Sequence, residues 1–280
     1  MSAGIFACGT RASRLPIDRQ SMRICRFTSL SLPPRFGVIE DDAIRPFAAG
    51  ETSEYFASRQ ADRAVLLSEA TLLAPVTPSK IICVGRNYKD HAAELGNPMP
   101  PEPLLFLKAP SAIIGNGERI VLPKESSDVQ HEGELGIVIG RKAHNVADDE
   151  DALDYVFGYT CVNDVTARDL QKRDVQFTRA KSFDTFCPVG PFIVNDLDPR
   201  DLEVTTRVNN EIRQQGRTSA MAFSIPFLVR YISRIMTLLP GDLISTGTPA
   251  GVSTLRAGDV VEIEVSGVGT LRNDVRASHA

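Results

Sequence analysis

His131-Glu132-Gly133-Glu134-Leu135-Gly136-Ile137-Val138-Ile139-Gly140 reads as a β-strand entered from the polar loop Ser126-Ser127-Asp128-Val129-Gln130. Successive side chains of a strand point to opposite faces, so Leu135, Ile137 and Ile139 share one face. Glu132 and Glu134 share the other, followed by Gly136, Val138 and Gly140. Twice the rise per residue puts the two carboxylates about 7 Å apart along the strand. Two unpaired carboxylates that close repel each other, and one pKa rises. A divalent cation between them lets both stay ionised, and oxygen-only donors favour Mg²⁺, Ca²⁺ or Mn²⁺ over zinc. A solvated strand face with two exposed glutamates satisfies the same pattern, because glutamate is mostly a surface residue. The remainder of the chain has to decide between the two.

At 280 residues the chain can bury a sizeable core, as one large domain or two smaller ones. Hydrophobic residues make up 42% and charged residues 24%, the balance of an ordinary globular protein. A net charge of −4 gives no basic footprint for nucleic acid. No apolar run reaches the ~18 residues of a membrane span. The cysteines, at 8, 25, 83, 161 and 187, are scattered without a Cys-x-x-Cys pair. That argues against a thiolate metal site or a disulfide framework and fits a reducing cytoplasm.

Residues 1–21 carry arginines at 11, 14 and 19, no periodicity and no secretory core, and read as an upstream extension or a disordered arm. Residues 22–77 read as a small N-terminal β subdomain. Within it, 35–39 and 43–47 flank the turn Glu40-Asp41-Asp42 as a hairpin, Pro46 marks a sheet edge, and 58–69 suits a short helix. Residues 78–280 read as the main domain. Strands are expected at 80–85, 104–108, 131–140, 156–163, 192–194, 203–209, 242–246 and 260–265, and helices at 87–95, 164–171 and 224–236, with another starting in the acidic stretch 148–154. Four prolines within 96–103 suit an ordered loop. Strands and helices in mixed order make the fold class α+β with a β-rich core.

Further segments add polar groups at element ends. His91 and Glu94 stand i, i+3, neighbours on a helical turn, so Glu94 can orient the imidazole and leave its other nitrogen to take a proton. A surface helix with an ordinary His–Glu pair gives the same spacing. Asp164, at a strand-to-helix junction, can cap a helix or be a third carboxylate for the metal. Arg168 and Gln171 lie one turn further on. Lys181 can hold a substrate carboxylate or an enolate oxygen; it can equally be a solvated lysine. Ser245-Thr246-Gly247-Thr248-Pro249-Ala250-Gly251-Val252 is small enough to let backbone and the Thr248 hydroxyl approach a ligand. It is not a phosphate loop, and no Gly-x-Ser-x-Gly elbow is present.

Taken together, Gly85-Arg86-Asn87-Tyr88 with His91 and Glu94, Phe106-Leu107-Lys108, Glu132-Gly133-Glu134-Leu135, Asn163-Asp164-x-Thr166-Ala167-Arg168-Asp169, Lys181-Ser182-Phe183 and Gly247-Thr248-Pro249-x-Gly251-Val252 resemble the fumarylacetoacetate hydrolase family. The resemblance runs in order over about 78–275, and the N-terminal part resembles the small leading subdomain of prokaryotic members. It implies a mixed β-sheet roll, usually a cytoplasmic homodimer, with Mg²⁺ or Mn²⁺ at the active site and Ca²⁺ able to substitute. By motif position Glu132, Glu134 and Asp164 would be metal ligands. His91 and Glu94 would be a catalytic dyad on a lid spanning 88–103, and Lys181 would stabilise an enolate or carboxylate. Arg86, Tyr88, Arg168, Gln171 and Thr248 would line the substrate pocket.

The resemblance implies substrates that are 2-oxo acids with a second activating group. The first expectation is a divalent-metal-dependent hydrolase or decarboxylase cleaving a C–C bond in acylpyruvate- or oxaloacetate-like acids. Alternatives are an isomerase or decarboxylase of 2-hydroxyhepta-2,4-diene-1,7-dioate-type dioates, or a diketo-deoxy-sugar acid hydrolase. A non-catalytic module on the same fold is disfavoured by the intact His91, Glu94, Lys181 and carboxylates. Neither nucleic acid nor membrane is expected as a partner.

Overall fold

The computed structural model describes residues 22–30, 32–47 and 63–278. The arm expected over 1–21 and the start of the helix expected over 58–69 lie outside the described residues. The strand at the centre of the sequence reading forms over Gly133–Ile139, with all seven residues buried. It runs antiparallel between Val156–Asn163 and Leu243–Ser245, inside a twelve-stranded mixed sheet. Leu135, Ile137 and Ile139 enter the main core with Ile82, Val204, Ile263 and Leu271. Val138 points the other way, against Ile81, Val162 and Leu243. The alternation is therefore of two apolar faces, with glutamates only at the end of the strand that opens toward the site. Leu243–Ser245 lies parallel to Ile81–Gly85, which pairs antiparallel with the edge strand Leu104–Lys108.

At the other edge, Leu32–Glu40 and Ala43–Pro46 form the expected hairpin, with Glu40 opposite Ala43. Val65–Leu66 pairs only with Ala43 and Ile44, so Pro46, which has no N–H to give, lies beyond that strand's reach. The N-terminal strands keep a small core of their own, around Cys25, Phe27, Ile39 and Ile44. They continue the large sheet through Arg23–Ser29, whose Ile24 pairs with Ile193. From Val65 the expected helix is replaced by strand Val65–Leu66 and a 3₁₀ turn, Leu67–Glu69. Ala70–Leu73 is taken into pairing with residues 26–29, and tertiary pairing overrides a weak helical preference. The acidic stretch 148–154 also yields only a 3₁₀ turn, Ala152–Tyr155, capped by Asp151.

A second, five-stranded sheet runs in the order Glu211–Arg217, Glu203–Val208, Val260–Val265, Gly269–Ala277, Arg119–Leu122. It meets the large sheet at Gly133, where a Cβ would lie 2.1 Å from Thr206 Oγ1 and 2.9 Å from Ile263 Cδ1. Glycine between the two glutamates is thus what lets the sheets close beneath them. Four α-helices complete the described fold: α1 (Lys89–Glu94), α2 (Arg168–Arg173), α3 (Thr178–Lys181) and α4 (Ile225–Ile235). Helix α4 carries Pro226 in its first turn and buries Leu228, Val229 and Ile232. Helix α2 starts later than expected because Thr166–Ala167 first pairs with Val129–Gln130. No helix among the described residues is long and apolar enough to cross a membrane.

Candidate active site

Glu132 and Glu134 bracket Gly133, which pairs with Asn163 on the neighbouring strand. Asp164 follows Asn163, and its N–H donates to the Glu132 carbonyl at 2.8 Å. Two adjacent strands therefore deliver three carboxylates to one point, with an oxygen of each within 4.8 Å of the others. All three residues are buried.

Three cations meet them. Lys181, at the end of α3, places Nζ 2.8 Å from Glu132 Oε2 and 2.6 Å from Asp164 Oδ2. Lys108, at the end of the edge strand, donates to Asp164 Oδ1 at 2.6 Å and to the Val165 carbonyl at 3.1 Å. Arg168 donates through Nη2 to Glu132 Oε1, through Nη1 to Gln171 Oε1 at 2.5 Å and through Nε to Gln130 Oε1 at 2.9 Å. Burial alone would raise the Glu132 pKa, but Lys181 and then Arg168 outweigh it and hold the carboxyl well below the usual range. Burial would likewise lower Lys181, and Asp164 and Glu132 outweigh it, so the ammonium persists.

Glu134 is treated differently. It accepts from Ser245 Oγ at 2.5 Å and from Gly247 N–H at 2.7 Å, and pairs with no cation among the described residues. Burial, then the charges of Asp164 and Glu132, push it up to about 8. The buried Asn163 Nδ2 also lacks a partner among the described residues. An all-oxygen trio with one carboxylate short of positive charge fits a hard divalent cation.

A cavity of about 220 Å³ opens onto this trio. Lys181, Arg168, Gln171, Thr248, His91 and Arg86 line it. Within α1, His91 Nδ1 lies 3.1 Å from Glu94 Oε2, and Glu94 Oε1 accepts from Gly251 N–H at 3.0 Å. Leu95 and Asn97, where the proline-rich loop begins, line it as well. Arg86 holds a positive φ of 58° at the turn into α1. Tyr88 is placed apart: it is buried, it does not line the cavity, and its hydroxyl has no partner among the described residues. The Arg168 fork is taken up by protein oxygens, so its offer to the cavity is the ordering of Glu132 and Gln171.

Sequence reading missed Lys108 as a site residue, although alternation along Leu104–Lys108 puts it on the face of Phe106, which lines the cavity. It missed the bonds of Ser245 and Gly247 to Glu134 because they depend on an antiparallel pairing with a strand distant in sequence. It also missed His131, which is fully buried beside Glu132. Burial lowers its pKa to about 4, so it is neutral in the fold. The unfolded chain binds a proton near pH 6.5 and the folded chain only near 4, so stability is full above 6.5 and is lost as pH falls toward 4. Between pH 7 and pH 5 this group should remove about 2 kcal/mol of stability. Urea unfolding at both pH values checks it: His131→Asn should lose less than the wild type by that amount.

Comparison with known proteins places the chain in a family. The family model "Fumarylacetoacetate (FAA) hydrolase C-terminal" matches residues 80–276, and "Rv2993c-like, N-terminal" matches 22–75. The oxaloacetate tautomerase YisK of Bacillus subtilis is 48% identical over 224 residues, 75% of this chain and 74% of that protein. The crystal structure of 2-hydroxyhepta-2,4-diene-1,7-dioate isomerase from Mycobacterium marinum superposes with a TM-score of 0.84 at 44% identity, covering 93% of this chain and all of that one. That of maleylpyruvate hydrolase from Sphingobium sp. SYK-6, in complex with manganese(II) and pyruvate, gives 0.75 at 33% identity, covering 92% of this chain and all of that one. With the family model spanning most of the chain and these relatives covering it at such identity, the protein belongs to the fumarylacetoacetate hydrolase family of enzymes.

Proposed function

We propose that the protein is a divalent-metal-dependent enzyme of oxaloacetate- and acylpyruvate-type 2-oxo acids whose reaction runs through an enolate. The observation that carries this reading is one cavity lined both by the Glu132, Glu134 and Asp164 trio and by His91, whose Nδ1 is held by Glu94. A divalent ion held by the trio, Mg²⁺ or Mn²⁺, would supply Lewis-acid polarisation of the 2-oxo group. The protein's own groups do the rest. Glu94 holds Nδ1 of His91, leaving Nε2 to take a proton from the carbon beside the 2-oxo group. The C–H electron pair becomes the enolate, and the Lys181 ammonium meets the charge that develops on oxygen. Return of the proton to that oxygen gives the enol tautomer.

The alternative outcome is C–C cleavage. In hydrolysis His91 takes its proton from water, the hydroxide adds to the distal carbonyl, and the fragment leaves as the enolate. In decarboxylation CO₂ leaves instead. Proton transfer asks for the fewest groups, and the relatives named as a tautomerase and an isomerase favour it; the relative named as a maleylpyruvate hydrolase favours cleavage. The reading extends to a homodimer, which light scattering at twice the chain mass would bear out. The test of the reaction is oxaloacetate and acetylpyruvate supplied with Mg²⁺, then with EDTA. Mg²⁺-dependent change of either is expected, and enol, pyruvate plus acetate, or CO₂ as product sorts the three outcomes. Turnover indifferent to EDTA contradicts the proposal.

A further inference from the structure

One strand of the small sheet is out of keeping with its neighbours. Of the seven residues in Glu211–Arg217 only Gln214 is buried, on an edge strand that pairs with Glu203–Val208 alone. Its amide is fully used. Oε1 accepts from the Gly133 N–H at 3.0 Å, and Nε2 donates to Thr248 Oγ1 and to the Pro249 carbonyl, both at 2.7 Å. A backbone N–H can only donate and a carbonyl can only accept, so the amide has one orientation. That orientation makes His131 the donor at Nδ1, 3.0 Å from Gln214 Oε1, and the acceptor at Nε2, 2.8 Å from Ser253 Oγ. The Thr248 hydroxyl in turn donates to the Gly133 carbonyl at 2.8 Å. A single buried side chain thus ties the backbone between the two glutamates to the loop at 248–249.

The backbone of the same strand holds that loop one step further on. Gly251 has φ +105°, and a Cβ there would fall 1.9 Å from the Arg213 carbonyl oxygen. A Cβ at Gly216 would fall 2.6 Å from Pro249 Cβ. Pressed against this strand, the loop presents the Gly251 N–H that reaches Glu94, a residue of α1 whose side chain is still 32% exposed. Among the described residues nothing else holds that second carboxylate oxygen.

We propose that Gln214 is a positioning residue for the His91–Glu94 pair: by fixing the 248–251 loop to the strand at Gly133 it keeps the Gly251 N–H where it locks Glu94, and so sets the register between the proton-transfer pair and the carboxylate trio. The proposal rests on the reading of that pair as the proton-transfer groups. The carboxylates themselves have other supports in Lys181, Lys108, Arg168, Ser245 and Gly247, so loss of Gln214 should misplace the pair and leave the trio.

The test is a double-mutant cycle with two further readouts. Gln214→Met should lower kcat about 10- to 100-fold, the scale of a misplaced catalytic group. In a Glu94→Ala background, where the acceptor for the Gly251 N–H is already gone, the same change should cost less than about 3-fold, because residues acting through one another are not additive. Mg²⁺ affinity, measured by calorimetry with oxalate present, should stay within about 3-fold of wild type, since Lys181, Lys108, Arg168, Ser245 and Gly247 still hold the three carboxylates. Amide hydrogen exchange of the intact protein with Mg²⁺ and oxalate should rise at 88–97 and 249–251 and stay unchanged in the strand 156–163. Equal kcat losses in both backgrounds, a parallel fall in Mg²⁺ affinity, or unchanged exchange at 88–97 each overturn it. If Gln214→Met does not fold, Gln214→Glu keeps the acceptor for Gly133 and removes the donor to Pro249, and the same outcomes apply. A wild-type protein that turns over no 2-oxo acid removes the reaction reading instead; the exchange experiment then decides the role of Gln214 alone.

Discussion

Replacing Lys181 with methionine is expected to lower kcat about 10²–10³-fold, the cost of losing one preorganised oxyanion donor, while Mg²⁺ binds at least as tightly as in the wild type. The two effects separate because Lys181 has two relations to the site. Its ammonium is buried between Glu132 Oε2 and Asp164 Oδ2, and nothing replaces it when charge develops on a substrate oxygen. The same positive charge stands against any cation that approaches the trio, so its removal favours the ion. Methionine keeps the length of the side chain and can pack on Phe106, whose ring centroid lies 4.9 Å from Nζ. Calorimetry with Mg²⁺ and steady-state kinetics on the active 2-oxo acid check both halves. Loss of Mg²⁺ binding together with turnover would mean that Lys181 assembles the carboxylates and does not serve the reacting oxygen.

His91→Ala is expected to lower kcat about 10²–10⁴-fold, the usual worth of a positioned acid–base group, with Mg²⁺ and oxalate binding nearly unchanged. His91 is 5% exposed and bonded at Nδ1 to Glu94, so its ring is held by protein before any substrate arrives. Glu94→Gln should cost less, since the imidazole remains and only its orientation and charge support weaken. A wild-type kcat in His91→Ala would remove the dyad from the mechanism; a large rise in KM with kcat unchanged would make His91 a binding group.

Much of the site was legible in the sequence because strand periodicity and helix spacing are local. Glu132 and Glu134 on one face of a strand, and His91 and Glu94 three apart, could be placed without knowing the fold, and the structure brings the glutamates and His91, with Glu94 bonded to it, to one cavity. Asp164 was legible as a group at an element end, though not that Gly133 pairs with Asn163. What could not be read depends on long-range pairing. Lys108 reaches Asp164 only because Leu104–Lys108 joins Ile81–Gly85, which joins Leu243–Ser245. Gln214 carries no local signal: it lies among polar residues on an edge strand, and its burial comes from the loop that folds over it. The same cause made the fold reading err at 65–69 and 148–154, where local helix preference gave way to strand pairing or to a single 3₁₀ turn.

The central claim is that Glu132, Glu134 and Asp164 hold a catalytic divalent ion, and calorimetric titration of Mg²⁺ into the wild type and into Glu132→Ala tests it most directly. The account expects one site per chain in the wild type, no measurable binding in Glu132→Ala, and loss of turnover with the binding. A Glu132→Ala protein that still binds Mg²⁺ at one site per chain, or that still turns over the 2-oxo acid, would contradict it.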